Sequence, residues 1–179
     1  MRNGSLARLS RRVMLMLARG VLRQVDDTGR LQLLQGTFLK GETRAGLERM
    51  QQYGMTSHPH PGAELVSLFL GGNRDHGLVI AVDDRRYRLK GLAQGEVALY
   101  DDQGQRVHLT RDGIVIDGVG KPVSFVNVPT VTMDGDLEVA GQVSDAKGTM
   151  QEMRDTYNDH DHAENDSGGP TDKPNQSMT

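Results

Sequence analysis

Residues 95–116, GEVALYDDQGQRVHLTRDGIVI, carry a pronounced strand-and-turn pattern. Short runs of branched aliphatic residues alternate in it with turn sequences such as Asp101-Asp102-Gln103-Gly104 and Arg111-Asp112-Gly113. Branched aliphatic residues favour strands, and turns favour Asp and Gly. The pattern therefore predicts three short strands, at Val97–Tyr100, Arg106–Thr110 and Ile114–Ile116.

The strand pattern continues past this stretch, with further strands expected at Val123–Val128, Thr130–Met133 and Leu137–Val143. Folded alone, residues 91–144 would have too few bulky inward residues for two packed sheets and would leave long edges unpaired. A solenoid or an intertwined oligomer solves both problems, because each strand then pairs with a neighbouring coil or chain. No clean fixed-period repeat is present, which favours intertwining.

The composition also indicates a core that is small or is completed by another chain. Of the 179 residues, 36% are hydrophobic and only 4% are aromatic, with no Trp. Each buried aromatic side chain removes roughly 150–250 Å² from water, so their scarcity limits a core. The absence of Cys excludes disulfides, thiolate metal sites and Cys nucleophiles.

The region before residue 91 is predicted to contain a helix followed by a small barrel. The apolar residues of Ser5–Arg19 recur at helical spacing, so this segment is an amphipathic helix, packed on its own domain or docked on a neighbouring protein. Short strands are expected after it, with a helical turn assigned to Thr43–Tyr53. About five strands in roughly 70 residues are compatible with a closed barrel such as an OB-fold. The four predicted strands are Val21–Val25, Leu31–Leu34, Ala63–Leu70 and Gly77–Val82.

Charge is distributed unevenly along a chain whose net charge is only −3. Residues 1–25 contain six Arg and no acid, whereas residues 150–179 contain seven acids and two bases. Such polarity suggests two ends with different partners. No segment approaches the roughly 18–20 apolar residues of a membrane-spanning helix, and the N-terminal apolar run is too short for a signal peptide. We therefore expect a soluble protein made in the cytoplasm.

The C-terminal part contains the residues best suited to bind a metal. Thr149–Tyr157 is predicted as a short helix, and the composition of residues 158–179 is typical of disorder. In an extended strand His160 and His162 would project from one face. Three parallel chains would supply six imidazole nitrogens, an octahedral set that iron accepts, whereas structural zinc usually takes four ligands. The alternative is a pair of solvated histidines in a polar tail.

The other candidate residues have structural interpretations. His58 and His60 are expected in a loop between barrel strands, and His76 and His108 as surface or packing residues. We find no hydrolase elbow, P-loop, zinc-protease motif or dinucleotide-binding fingerprint, and so expect no catalytic residues and no enzyme. The seven aromatic residues are scattered, which disfavours nucleic-acid binding by the barrel.

Several stretches together resemble the Mu-type phage baseplate assembly protein V family, the central spike of contractile phage tails. They are SHPHPGAELVSLFLGGNRDHGLVIAV (57–82), GEVALYDDQGQRVHLTRDGIVI (95–116), DGDLEVAGQVSD (134–145), YNDHDHAEN (157–165) and SGGPTDKPNQ (167–176). The resemblance implies a homotrimer with an N-terminal OB-fold, a triple-stranded β-helix and a pointed tip where three HxH motifs hold one iron ion. The implied metal ligands are His160 and His162.

We therefore expect a mainly β protein with four regions: an N-terminal helix (1–19), an OB-fold domain (20–90), an intertwined triple-stranded β-helix (91–145) and a metal-capped tip (146–179). The implied function is a structural, non-catalytic spike in the tail baseplate of the virion that pierces the host outer membrane. Its N-terminal end would contact baseplate hub and tail tube proteins. The alternative is an OB-fold module that binds oligosaccharide or single-stranded nucleic acid and has a disordered tail. An envelope-degrading enzyme is a third hypothesis, disfavoured by the missing catalytic motifs.

Overall fold

The computed structural model describes residues 2–163 and 168–178. The predicted N-terminal helix and tip extend over residues 1, 164–167 and 179, which lie outside the described residues. The chain divides into two units, Met1–Val123 and Ser124–Thr179. Its elements in chain order are α1 (Arg2–Met14), β1 (Leu17–Asp26), β2 (Leu33–Thr37), β3 (Thr43–Arg49), β4 (Glu64–Phe69), a 3₁₀ turn (Leu70–Gly72), β5 (Gly77–Asp83), β6 (Val97–Tyr100), β7 (Arg106–Leu109), β8 (Ile114–Asp117) and α2 (Met150–Asp159).

Five strands of the first unit form a closed barrel in the order β1-β2-β3-β5-β4. Strand β1 pairs antiparallel with both β2 and β4, and the parallel pairing of β3 with β5 completes the circuit. The prediction of a closed five-stranded barrel is confirmed. Alternate residues of its strands face inward, and they supply a core of only seven buried hydrophobic residues: Leu22, Leu34, Leu47, Ala63, Leu65, Phe69 and Val79.

Two predictions for this part of the chain are wrong. The helical turn assigned to Thr43–Tyr53 is instead strand β3, because Leu47 fills the barrel core and β3 pairs on both sides. The N-terminal helix ends at Met14 rather than at residue 19. Residues 17–19 belong to β1, where Leu17 pairs with Leu68 of β4, and this pairing overrides the helical pattern.

Strands β6, β7 and β8 form a separate three-stranded antiparallel sheet in the first unit. Their bounds agree with the predicted strands to within one residue at each end. This agreement is expected, because adjacent strands joined by short Asp- and Gly-containing turns are specified by local sequence.

The second unit contains helix α2, and the prediction of this helix is confirmed. Thr149 caps the helix: its hydroxyl accepts the Glu152 N–H, and the Glu152 carboxylate accepts the Thr149 N–H. Within residues 124–163 and 168–178 the only β pairing is an isolated bridge between Ser144 and Thr149. The expected strands between residues 123 and 143 are therefore not formed within the single chain, which offers them no ladder partner there.

In the described part of the chain, no helix has the length and apolar character needed to cross a membrane.

Candidate metal site and association surfaces

His160 and His162 lie immediately after helix α2. Their ring centroids are 5.2 Å apart, and the rings are nearly perpendicular. His160 is the C-cap of the helix and has an extended backbone conformation. Residues up to Asp159 are helical, so the pair begins at the end of the helix and not inside an extended strand. The two rings nevertheless lie close together.

The ring of His160 is oriented by its own helix. Its Nδ1 lies 2.6 Å from the carbonyl oxygen of Tyr157, and its ring packs against the Tyr157 ring with centroids 5.3 Å apart. A carbonyl can only accept, so Nδ1 donates, and in a neutral imidazole this arrangement leaves the lone pair on Nε2. Metal-binding histidines commonly donate their other ring N–H to a backbone carbonyl in this way. The arrangement fits His160 as a metal ligand through Nε2.

His162 is exposed, and its backbone rather than its ring is held in place. Its N–H donates to Oγ1 of Thr171 over 2.9 Å, and its carbonyl accepts the N–H of Thr171 over 2.9 Å. Beside it, a salt bridge between Lys173 and Asp159 lowers the pKa of the Asp159 carboxyl. Among the described residues of one chain, no group of three or more His, Asp or Glu side chains is arranged to hold a metal. The pair supplies two nitrogens, so a full coordination shell needs donors from elsewhere.

Two of the remaining histidines, His60 and His108, make side-chain contacts with carboxylates. His58 and His60 lie in the connection between β3 and β4, as predicted. The His60 Nε2 is 2.9 Å from a carboxylate oxygen of Asp102, in the turn between β6 and β7. His108 on β7 lies 3.1 Å from Glu96, whose carboxyl pKa is lowered mainly by the backbone N–H of Ala93.

The sheet of β6, β7 and β8 has one wholly apolar face and one mixed face, on which Ala98, Tyr100 and Val115 lie beside charged residues and His108. Strand register places six aliphatic side chains on the same face: Val97, Leu99, Val107, Leu109, Ile114 and Ile116. All six are exposed in the single chain, from 38% for Val107 to 71% for Ile114. The opposite face carries the Arg106–Asp117 salt bridge at 2.9 Å and His108. A continuous apolar face of this kind marks a surface for association.

Exposed aliphatic residues continue along the chain after this sheet. Between residues 119 and 143 ten large hydrophobic side chains are exposed: Val119, Val123, Phe125, Val126, Val128, Val131, Met133, Leu137, Val139 and Val143. In a monomer these side chains would all face water.

Helix α1 presents a second unpartnered apolar surface. Leu6, Leu9 and Val13 recur at helical spacing and are exposed by 66%, 60% and 56%. At 100° per residue, Arg8 and Arg11 fall on the opposite side of the helix, and Arg12 falls about 90° from the centre of these three apolar residues. The helix meets the barrel where the backbone of Arg12 approaches Gly72, at which an added Cβ would lie 2.6 Å from the Arg12 carbonyl oxygen.

The sequence does not reveal one cluster of charged and aromatic residues in the barrel. Arg74 stacks over Phe69 and Phe38 and donates two hydrogen bonds to Glu42. Phe38 and Phe69 are therefore covered rather than displayed as a stacking platform for bases. No sequence signal connects these residues, since 31 positions separate Phe38 from Phe69 and the barrel alone brings them together.

Comparison with known proteins agrees with this architecture. Residues 19–86 match the family model described as Bacteriophage Mu Gp45, N-terminal. The baseplate puncturing device gp45 of Escherichia phage Mu is 38% identical over 143 residues, which cover 76% of this chain and 73% of that protein. The Mu-like prophage FluMu protein gp45 of Haemophilus influenzae is 30% identical over 175 residues, covering 90% and 94%. These likenesses extend well past the barrel, and the chain belongs to the family of the phage Mu baseplate protein gp45.

Proposed function

We propose that the protein is the homotrimeric central spike of a contractile phage tail baseplate, that it pierces the host outer membrane, and that it catalyses no reaction. A relative of 38% identity is named a baseplate puncturing device, which supports the baseplate role. The observation that carries the trimer is the apolar face of β6, β7 and β8.

Three copies around a common axis would turn this exposed face into a shared core. Burying one Leu or Ile side chain contributes roughly 1.5–3 kcal/mol, and each copy brings six aliphatic residues. The same arrangement provides ladder partners for the aliphatic stretch between residues 119 and 143. We therefore assign residues 91–145 to an intertwined triple-stranded β-helix that follows an OB-fold domain over residues 20–90.

The same threefold arrangement would provide the proposed metal site. Each copy offers the Nε2 of His160 and the ring of His162, 5.2 Å apart by their centroids. Three copies supply six imidazole nitrogens, the octahedral set expected for one iron ion per trimer at the tip, residues 146–179. Bound metal would join the three chains, and its binding free energy would add to the stability of the assembly. The residues of the chain hold the ion; no reaction is required of it.

The N-terminal end is assigned to the baseplate side. The exposed stripe of Leu6, Leu9 and Val13 lies on a helix whose charged residues are all Arg, and it fits an apolar groove with acidic borders on a hub or tail tube protein. The metal-capped end would meet the host outer membrane. The protein would be made in the host cytoplasm and reside in the tail baseplate of the virion, with no nucleic acid among its partners.

Purified phage tails test the location. Antibodies against residues 20–90 are expected to label the distal end of intact tails in electron micrographs, and mass spectrometry is expected to find the chain in the particles. The assignment is wrong if the chain is absent from purified tails or lies along the tail tube. Tails prepared without the protein serve as the labelling control.

A further inference from the structure

The C-terminal segment returns along the end of helix α2 instead of extending into solvent. Contacts run in reverse order along the two stretches: Asn158 meets Met178, Asp159 meets Lys173, and His162 meets Thr171. In this antiparallel order, the C-terminal segment folds back on the segment that contains the two histidines. The composition predicts disorder for residues 158–179. In the structure, Thr171, Lys173 and Met178 instead contact residues at the end of the helix and just after it.

In two of these contacts, the two residues form two hydrogen bonds with each other. The Asn158 side chain accepts the Met178 N–H over 2.8 Å and donates to the Met178 carbonyl over 3.0 Å. Thr171 offers its hydroxyl to the His162 N–H and its own N–H to the His162 carbonyl, both at 2.9 Å. Both backbone groups of His162 are therefore fixed by a single residue nine positions away. The Lys173–Asp159 salt bridge lies between these two points.

We propose that residues 170–178 form a clasp that holds His162 beside His160 before any metal binds, with Thr171 as the principal positioning residue. The proposal rests on the assignment of the two histidines as metal ligands. The helix orients the ring of His160 through Tyr157, whereas Thr171 holds the backbone of His162. The clasp supplies this second constraint, so each chain presents a preformed pair of imidazoles to the shared ion.

The physical gain is pre-organisation. A chain segment that must be ordered on metal binding loses conformational entropy at that step, which lowers the affinity. Residues that fix a ligand without touching the metal typically change metal affinity by about 10- to 100-fold when removed. Thr171 occupies such a position through the backbone of His162.

The test uses the full-length protein with Thr171→Val, which removes the hydroxyl and keeps the side-chain shape. Thr171→Ser restores the hydroxyl, and Asn175→Ala changes an exposed residue of the same segment. Loss of iron to an excess of chelator is followed for each variant, and light scattering checks that each keeps the oligomeric state of the parent. We expect Thr171→Val to release iron about 10- to 100-fold faster than the parent, and the other two variants to match the parent. Equal release from Thr171→Val and the parent would overturn the clasp.

A second readout does not depend on the metal. In protein stripped of metal, amide hydrogen exchange should show protection at His162, Thr171 and Met178, and Thr171→Val should lose the protection at His162. Unprotected amides in the stripped parent would refute the clasp even if iron binds. If the parent protein binds no iron, the metal assignment fails, and the exchange data still decide whether the clasp exists.

Discussion

The guanidinium of Arg74 lies 3.8 Å above the ring of Phe69, the largest fully buried side chain of the barrel. Two nitrogens of the same group donate to the Glu42 carboxylate at 2.8 Å and 2.7 Å, and a third lies 3.4 Å from the Leu15 carbonyl oxygen. One side chain thus covers the end of the core, anchors the turn between β2 and β3, and contacts the connection from α1 to β1.

This contact predicts a specific pH dependence of stability. The hydrogen bonds from Arg74 hold the pKa of Glu42 at about 2. A lowered pKa in the folded state contributes stability above the ordinary carboxyl range, and that stability is lost as the pH falls from about 4.5 toward 2. Glu42→Gln should therefore lower the free energy of unfolding of the barrel by about 1.5–3 kcal/mol at pH 7.

The measurement is denaturant unfolding of the parent and Glu42→Gln between pH 7 and pH 2. The difference should shrink steadily below about pH 4.5. Glu48→Gln, at an exposed position on β3, is the control and should change little. A difference between parent and Glu42→Gln that does not vary with pH would contradict the role of this ion pair.

Gly77 at the start of β5 is predicted to tolerate no side chain. An added Cβ would lie 2.7 Å from the Phe69 ring and 2.8 Å from Cδ2 of Leu47, both buried core residues. Gly77→Ala should destabilise the barrel by about 1–3 kcal/mol through overpacking. Gly113→Ala is the matched control, since nothing lies within 4 Å of its added Cβ. Equal melting temperatures for the two variants would contradict this prediction and would mean that the core rearranges to accept the added methyl group.

The two faces of the three-stranded sheet should respond differently to the same substitution. Ile114 lies on the apolar face, and its neighbour Val115 lies on the mixed face and pairs with His108. Ile114→Asp would place a carboxylate in the shared core of the proposed trimer, and we expect the trimer to dissociate. Val115→Asp should remain trimeric, as measured by analytical ultracentrifugation. Dissociation of both variants or of neither would mean that this face is not the interface.

Helix α1 should be required for assembly into tails and not for trimer formation. Leu9→Asp interrupts the apolar stripe, and we expect at least a tenfold lower content of the protein in purified tails. Met55→Asp is the control, because Met55 has a similar exposed fraction, 57% against 60% for Leu9, and lies in the connection between β3 and β4. Normal incorporation of Leu9→Asp would remove α1 from the docking surface.

The sequence predicts those parts of the fold whose causes are local. Strands β6, β7 and β8 are joined by short Asp- and Gly-containing turns, and helix α2 begins at a capping box, so both are recognisable from neighbouring residues. Strand β3 is not, because Leu47 and Gly46 in a polar stretch become a strand only when β2 and β5 pair with it.

The same distinction between locally specified features and features that depend on distant residues applies to the candidate site. His160 and His162 are visible as a motif in the sequence. The contacts of the clasp join residues that lie nine to twenty positions apart, such as Thr171 with His162 and Asn158 with Met178, and no local pattern predicts them. Composition therefore predicted disorder where the structure forms side-chain to backbone hydrogen bonds.

Native mass spectrometry of the purified full-length protein distinguishes an iron-bound trimer from a single chain. We predict a species of three 19.6 kDa chains with one iron ion, and an iron-free trimer for the His160→Ala, His162→Ala double variant. A parent protein that has the mass of one chain would contradict the account, as would a double variant that keeps one iron per trimer.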